Sequence, residues 1–388
     1  YQRRVRGLMK NKLKTMSLDM EQLSSMTQDL NTVEDFENIM EQRPDPNFDT
    51  VEQYQKLYLN DMQKVMDKRV RQLNEDLKAQ SFDQSPDNRY SSVVACLRTQ
   101  PSKAYFNGNI VQLGDFTLLI TQAPTNIPAF YREVFDFKAS QIVQLTKFAE
   151  DMTPKAERYV PLAPDEDPAF YRESLEAQYI SATFQVESKR QNTKRIFMTT
   201  EQLNEQKKTP RDQFVWHRKL MDLGQLTVES RQFQRLGDDF YRIQLRMQQK
   251  LPQNAEFAFP MVSSNLDCEY FYYGRWMDFQ QPTCEQQIFE LCQRQLSSLA
   301  GQKKLVIHCS AGIGRSATYA VCLYIYSCYM KGDLRGKDGD AAWKRLPTSI
   351  YGCVETLRTQ RNPMCVQTEE QFLFLFKFAE FCKTKFKK

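Results

Sequence analysis

The chain of 388 residues is poor in histidine and contains no closely spaced cysteine pair. It has two histidines and ten cysteines, and no Cys-x-x-Cys pair occurs. A cluster of histidine and cysteine ligands is therefore not expected, and we predict no metal and no cofactor. Cysteines that form no evident disulfide framework are typical of a reducing compartment, so we predict a cytoplasmic, intracellular protein.

Long apolar runs and a strong charge imbalance are also missing. No run approaches the roughly 20 apolar residues that a membrane-spanning helix needs, and we predict no signal peptide in this sequence. The 53 basic and 48 acidic residues leave a formal net charge of only +5. This excess is too small to argue for nucleic acid, so we predict no nucleic-acid partner.

The first part of the chain, residues 1–80, has a helical pattern. It contains a single glycine, and its apolar residues recur at helical spacing. We predict a helical extension, broken near Pro44 and Pro46, that packs on a catalytic domain spanning 81–388. A partner-binding or coiled segment is the alternative. The basic cluster that begins at Arg3 is interpreted as a solvated helix face rather than as a membrane contact.

From about residue 88 the sequence changes to an α/β layout. Short apolar runs alternate with longer helical patterns, and the stretch 162–250 is rich in glutamine, arginine and lysine. We interpret that stretch as containing a solvated insertion. The patterns predict strands at 116–121, 142–146 and 179–186, and helices at 283–300, 315–331 and 367–386.

The strongest signal for chemistry is the segment from Lys303 to Ser316. An apolar strand, Leu305–Ile307, runs into a loop of small residues and glycines that begins at Cys309 and ends at Arg315. A helical pattern follows at once. A strand, loop and helix in this order can direct successive backbone N–H groups and a helix N-terminus at one anion.

The residue types in this loop fit nucleophilic attack on a phosphate. The positive potential that binds the anion also favours a thiolate at Cys309 over the thiol. Arg315 can hold two phosphate oxygens and stabilise them in the transition state. His308 is placed to orient Cys309, and Ser316 to hydrogen-bond the thiolate when it leaves.

The string His308-Cys-Ser-Ala-Gly-Ile-Gly-Arg-Ser316 resembles the signature loop of the classical, tyrosine-specific protein tyrosine phosphatase family. The resemblance extends over about residues 88–380. It implies an α/β domain with a highly twisted mixed β-sheet flanked by helices. It also implies hydrolysis of phosphotyrosine in proteins through a cysteinyl-phosphate intermediate. The loop residues that would bind the phosphate are Ser310, Ala311, Gly312, Ile313, Gly314 and Arg315.

Two segments outside the loop resemble further catalytic elements of that family. Trp276-Met-Asp278 resembles its mobile acid loop, which makes Asp278 the general acid and Trp276 a supporting residue. The segments Leu357–Arg361 and Met364–Thr368, followed by Gln371, together resemble the loop that positions water. By this resemblance Gln367 orients the water that hydrolyses the intermediate, and Gln371 assists.

Two other segments resemble elements that recognise the substrate and support the loop. Asn88-Arg-Tyr90 is similar to the phosphotyrosine-recognition loop, in which Tyr90 lines a deep slot. The segment from Glu150 to Tyr159 resembles one in which the glutamate forms an ion pair with the loop arginine, here Arg315. In that segment Lys155 would meet the acid loop. A phosphotyrosine-containing protein is the implied partner.

The chain also departs from the pattern of the family. Met277 stands where proline is usual, and Ser92 stands where an aspartate normally anchors the peptide backbone. Ala123, Val160 and Ala317 replace residues that the family usually has, and the segment between Pro161 and Trp276 is longer. The first two departures favour an alternative function, a pseudophosphatase that binds phosphotyrosine or a partner with little turnover. A cysteine phosphatase of wider range is a further alternative.

Overall fold

The structure is a computed structural model. It describes residues 85, 87–151, 153–162, 167–175, 215–250, 264–299, 303–332 and 339–386, with gaps at 169, 172 and 218. The predicted helical extension, residues 1–80, lies outside the described residues. So does the predicted strand at 179–186.

The described chain forms a mixed α/β domain. In chain order its main elements are β1 (Gly108–Leu113), β2 (Phe116–Thr121), α1 (Ile127–Phe137), β3 (Gln141–Gln144), β4 (Ala149–Glu150), β5 (Thr153–Pro154), β6 (Val215–His217), β7 (Leu220–Asp222), β8 (Leu226–Gly237), β9 (Phe240–Gln249), β10 (Asn265–Tyr273), α2 (Glu285–Ser298), β11 (Lys304–His308), α3 (Arg315–Lys331), α4 (Gly339–Gln360) and α5 (Glu369–Phe386).

Nine strands make one mixed sheet, in the order β1-β2-β11-β3-β10-β9-β8-β7-β6. Strand β11 lies inside the sheet, between β2 and β3, and is parallel to both. Its residues Leu305–Ile307 are fully buried, which explains why this run is apolar without alternation. Strands β4 and β5 form a separate small hairpin. The predicted α/β fold with a mixed sheet and flanking helices is confirmed.

Helix α3 starts directly after the loop that follows β11, and it runs through the core. It contacts α2, α4 and α5 as well as β11. Most of its side chains are buried, so it lacks the single apolar stripe of a surface helix. The helices predicted at 283–300, 315–331 and 367–386 correspond to α2, α3 and α5. Among the described residues, no helix combines the length and apolarity needed to cross a membrane.

The end of the stretch 162–250 belongs to the main sheet. Strands β6 to β9 continue the sheet beyond β10. Met221, Val228, Ile243 and Leu245 are buried in the core. Residues 220–250 are therefore part of the main sheet, and the insertion within 162–250 stays a prediction for the rest of that stretch. Residues 176–214 lie outside the described part of the chain, so the structure does not test an insertion there.

Candidate active site

The loop between β11 and α3 surrounds the thiol of Cys309. Cys309 follows the last residue of β11 and is 3% exposed, and the backbone N–H of Gly312 donates to its Sγ at 3.2 Å. Gly314 is the N-cap of α3, and Arg315 is the first residue of that helix. The sulfur thus lies in a loop that leads into a helix N-terminus, a place where a negative charge is stabilised.

Gly312 is required by the close approach of β2 to this loop. Its φ is +71°, and a Cβ built there would lie 2.1 Å from the carbonyl oxygen of Thr121. The neighbouring backbone cannot move aside as a flexible side chain could. Both the conformation and the space therefore select glycine.

A second buried arginine, Arg361, hydrogen-bonds the backbone carbonyls of the Cys309 loop. Its Nε donates to the carbonyl oxygen of Gly312 and its Nη2 to that of Ala311, both at 3.3 Å. The side-chain oxygens of Asn107 and Asn109 accept from Nη2 at 2.8 Å and from Nη1 at 3.0 Å. Burial lowers the pKa of Arg361. All four acceptors are neutral oxygens. This guanidinium therefore orients two loop carbonyls, and none of these acceptors is a carboxylate that would neutralise its positive charge.

Arg315 is fixed by contacts with three other segments. Its Nη1 donates to Glu150 Oε1 at 2.5 Å and to the carbonyl oxygen of Trp276 at 2.7 Å. Its Nη2 lies 3.1 Å from Asp278 Oδ1. Burial alone would lower the pKa of Arg315, but the charges of Cys309, Asp278 and Glu150 raise it. Its buried Nε has no hydrogen-bond partner within the described chain.

Asp278 lies between two cations. Its Oδ2 is 2.6 Å from Lys155 Nζ, while its Oδ1 faces Arg315. Its backbone N–H donates to Glu150 Oε2 at 3.1 Å. The structure thus brings together three segments that are far apart in sequence, which carry Glu150 and Lys155, Trp276 and Asp278, and Arg315.

The acid loop, residues 276–282, also contacts the segment that carries Gln367. The carbonyl oxygen of Gln280 accepts from Trp276 Nε1 at 2.6 Å and from Gln371 Nε2 at 3.2 Å. Gln371 Oε1 accepts from the backbone N–H of Gln367 at 3.0 Å. The side-chain oxygen of Gln367 lies so near Gly314 that a Cβ there would be 3.1 Å away. Both glutamines therefore pack against the start of α3.

Tyr90 reaches the loop through a serine. Ser310 Oγ donates to the carbonyl oxygen of Lys155 at 2.8 Å. The hydroxyl of Tyr90 is 2.7 Å from the same Oγ and therefore acts as its donor. This chain of two hydrogen bonds joins the segment around Tyr90, the loop after β11 and the segment around Lys155.

His308 is buried behind the loop as a neutral ring. Burial lowers its pKa to about 4, and burial also raises the pKa of Tyr159 well above its usual value. The hydroxyl of Tyr159 therefore donates to Nε2 at 2.5 Å, and Nδ1 carries the proton that it donates to the carbonyl oxygen of Cys309 at 3.0 Å. This orients the peptide that bears the thiol.

Ser316 and the ten cysteines form no further covalent or metal link at the site within the described chain. Ser316 Oγ is buried and has no hydrogen-bond partner among the described residues. All ten cysteines lie in the described part of the chain, and all are free. No group of three or more histidine, cysteine, aspartate or glutamate side chains in that part is placed to hold a metal ion.

A family model described as protein-tyrosine phosphatase matches residues 85–222 and 189–380, well over half of the chain. The chain belongs to the protein-tyrosine phosphatase family. The phosphatase-family resemblance of the Cys309 loop is thereby confirmed at the level of the whole domain.

Curated phosphatases match parts of this phosphatase domain. Tyrosine-protein phosphatase 1 of Saccharomyces cerevisiae is 30% identical over 126 residues, which are 31% of this chain and 37% of the yeast protein. The Lar-like tyrosine-protein phosphatase of Caenorhabditis elegans is 39% identical over 75 residues, 18% of this chain and 3% of that protein. The matches thus span much less than two thirds of these relatives.

A solved structure described as PTPN18 in complex with HER2-pY1196 phosphopeptides resembles the domain in fold. It covers 90% of this chain and 99% of its own, with a TM-score of 0.54 and 17% sequence identity. At this identity the likeness shows the phosphatase fold.

The departures from the family pattern take different positions in the phosphatase domain. Ser92 is exposed and Met277 is half-buried at the acid loop. Ala123, Val160 and Ala317 are buried in the core. Met277 directly precedes Asp278, and the backbone N–H of Ala123 donates to the carbonyl oxygen of Ser310 in the Cys309 loop at 2.9 Å.

Sequence reasoning missed the importance of Arg361 and Tyr159 for this site. Both occur in segments that resemble the family, but neither stands next to the residues that it supports. Their contacts with Gly312 and His308 form only when β11, α4 and the segment after β5 come together.

Proposed function

We propose that this domain hydrolyses phosphotyrosine in proteins, with Cys309 as the nucleophile. The observation that carries the proposal is the position of Arg315. This buried guanidinium follows the cysteine loop, contacts Asp278, and keeps a buried Nε donor without a partner in the described chain. A planar guanidinium with a free donor edge is suited to two phosphate oxygens.

In the first step the thiolate of Cys309 attacks the phosphorus atom. The S–P bond forms while the bond from phosphorus to the tyrosine oxygen breaks, and Asp278 gives its proton to that oxygen. Arg315 and the backbone N–H groups of residues 310–314 stabilise the charge on the other phosphate oxygens.

In the second step water releases phosphate from the cysteine. Gln367 orients the water, Asp278 accepts its proton, and the thiolate of Cys309 leaves. The buried hydroxyl of Ser316 is available to donate to that thiolate, since it has no other partner in the described chain. Gln367 lies near enough to Gly314 to reach the phosphate end of the loop.

Tyr90 supports the choice of phosphotyrosine over shorter phosphoamino acids. Its hydroxyl contacts Ser310, directly after Cys309, so its ring stands beside the approach to the thiol. The ring of Tyr90 thus forms one wall of the approach to the thiol. A phenyl phosphate is long enough to reach the sulfur beyond this wall, whereas phosphoserine is too short. The substrate class we propose is therefore a phosphotyrosine-containing protein. The free state of all ten cysteines supports a reducing compartment.

Two departures favour a second candidate function. Met277 lacks the ring that would restrict the acid loop, and Ser92 offers an exposed hydroxyl where a carboxylate would bind peptide N–H groups more strongly. These features fit a domain that binds phosphotyrosine, or scaffolds a partner, with little turnover.

The deciding experiment is phosphate release from a phosphotyrosyl peptide in reductant and chelator. The chain is compared with its Cys309→Ser variant. Turnover that is lost in the variant supports the proposed mechanism without a metal. Absence of turnover in both, with peptide binding retained, supports the pseudophosphatase. Turnover that survives in Cys309→Ser, or that chelator abolishes, contradicts the mechanism.

A further inference from the structure

The side chain of Gln371 joins the acid loop to the segment that carries Gln367. Its Oε1 accepts from the backbone of Gln367 at 3.0 Å, and its Nε2 donates to the carbonyl oxygen of Gln280 at 3.2 Å. Gln371 is fully buried in the first turn of α5, and its backbone N–H donates to Thr368 Oγ1 at 3.2 Å. One rigidly placed amide therefore bridges two loops.

The contact to Gln280 falls next to a strained position in the acid loop. Phe279 has a φ of +60°, a conformation that bulky side chains rarely adopt and that persists only when neighbouring contacts hold it. The next carbonyl, that of Gln280, accepts two hydrogen bonds. One comes from Trp276, inside the same loop. The bond from Gln371 instead ties that carbonyl to α5.

The loop also lacks a proline ring at its start, although the carbonyl oxygen of Met277 accepts from the backbone N–H of Gln280 at 3.3 Å. Met277 precedes Asp278, and methionine leaves φ unrestricted where proline would fix it near −65°. The position of Asp278 therefore depends on the turn between Met277 and Gln280 and on contacts from outside the loop. Glu150, Lys155 and Arg315 supply them before Phe279, and Gln371 supplies a buried one after it.

We propose that Gln371 is a positioning residue for the general acid Asp278, in addition to its contact with Gln367. The inference rests on the proposed function. In the first step the S–P bond forms, the aryl O–P bond breaks and the proton of Asp278 moves to the aryl oxygen. A leaving group that is stable as an anion does not need this proton. Loss of the Gln371 contact therefore lowers kcat/KM only for substrates with poor leaving groups.

The test compares two substrates in the full chain and in Gln371→Ala. With a phosphotyrosyl peptide, kcat/KM falls about 10-fold or more, since a well-placed general acid contributes on the order of 100-fold or more. With 2,4-dinitrophenyl phosphate, kcat/KM changes less than about 2-fold, because its phenolate leaves without a proton. Equal losses with both substrates overturn the proposal.

Two further variants separate positioning from other effects. Gln371→Glu keeps an acceptor for the N–H of Gln367 but, when ionised, cannot donate to Gln280, so it shows the same dependence on the leaving group. Gln367→Ala removes the water-positioning group and keeps the contact to the acid loop. It lowers kcat and produces a burst of the phenol, while kcat/KM for both substrates is retained because water acts after the first step.

Hydrogen–deuterium exchange provides a readout that does not need activity. Amides of residues 276–282 exchange faster in Gln371→Ala than in the unmodified chain, while those of β11 are unchanged. Unchanged exchange in 276–282 overturns the inference. If the unmodified chain hydrolyses neither substrate, the proposed function fails, and the exchange result alone decides whether Gln371 holds the loop.

Discussion

Glu150 and Arg315 form an ion pair in which the side chains are only 3% and 1% exposed, with 2.5 Å between Oε1 and Nη1. Glu150 also receives a hydrogen bond from the backbone of Asp278. Removing one member of such a pair leaves a buried charge with fewer partners. We expect Glu150→Ala to lower the free energy of unfolding by about 3 kcal/mol and to reduce phosphate release.

Urea denaturation of this variant measures the effect, with Glu229→Ala as the control. Glu229 pairs with Arg231 at 3.1 Å, but both side chains are more than 40% exposed. Removing an exposed pair costs about 0.5 kcal/mol. Similar losses in the two variants would show that the buried pair contributes no more than a surface pair.

His308 makes the stability of the domain depend on pH. Its pKa is about 4 in the fold, because burial disfavours the charged ring, and about 6.5 when exposed. Between these values the unfolded chain binds more protons than the native one, so the free energy of unfolding falls as the pH drops from about 6.5 to about 4. The full effect of this residue is about 3 kcal/mol.

Urea denaturation at several pH values between 4.5 and 7.5 tests this expectation. His308→Gln replaces the titrating ring with a neutral amide, so the difference in stability between the variant and the unmodified chain shrinks as the pH falls. Above pH 7 the difference is constant. Curves that stay parallel down to pH 4.5 would rule out the neutral, buried state of this histidine.

The sequence was most informative where the site is local. Cys309, Gly312, Gly314 and Arg315 lie within one short loop, so strand, loop and helix could be predicted together, and the fold brings them to β11 and α3 as expected. The contacts of Arg361 with that loop arise from the fold, and no local pattern encodes them.

Strands β8 and β9 and helix α4 could not be predicted from the sequence, because their residue types mask the usual patterns. In β8 and β9 the outward positions carry glutamine and arginine, which hide the alternating buried residues. Helix α4 continues through Pro347, a residue that predicts a break, so the pattern of this helix was not recognised. Tertiary packing overrides the local signal in both cases.

Gly312 and Gly224 offer a matched pair for testing the close approach of β2 to the loop. Both have positive φ, +71° and +82°, but nothing lies within 4 Å of a Cβ at Gly224. Gly224→Ala is therefore expected to cost only backbone strain, about 1 kcal/mol. Gly312→Ala adds a clash with the backbone of Thr121 and is expected to cost about 3 kcal/mol or more.

Thermal or urea unfolding of the two variants measures this difference, and phosphate release is measured alongside. We expect Gly312→Ala to lose nearly all activity and Gly224→Ala to retain it, because Gly224 lies in the turn between β7 and β8. Equal destabilisation of the two variants would contradict the requirement for glycine beside Thr121.

Arg361 carries a buried charge whose hydrogen bonds within the described chain go to neutral acceptors, namely Asn107, Asn109 and two carbonyls of the Cys309 loop. Such a charge is costly to bury and attracts an anion that the loop binds. We expect Arg361→Met to weaken the binding of inorganic phosphate about 10-fold or more, since charges in a protein interior interact by 1 kcal/mol or more over several ångströms.

The measurement is the rise in unfolding temperature that phosphate produces, which needs no turnover. Arg361→Lys serves as the comparison, since lysine keeps the charge but cannot hold both loop carbonyls and both asparagines at once. If charge is the main contribution, the lysine variant keeps most of the phosphate-induced stabilisation and the methionine variant loses it. If orientation of the carbonyls is the main contribution, both variants lose it. An unchanged response in Arg361→Met would show that this arginine supports only the fold.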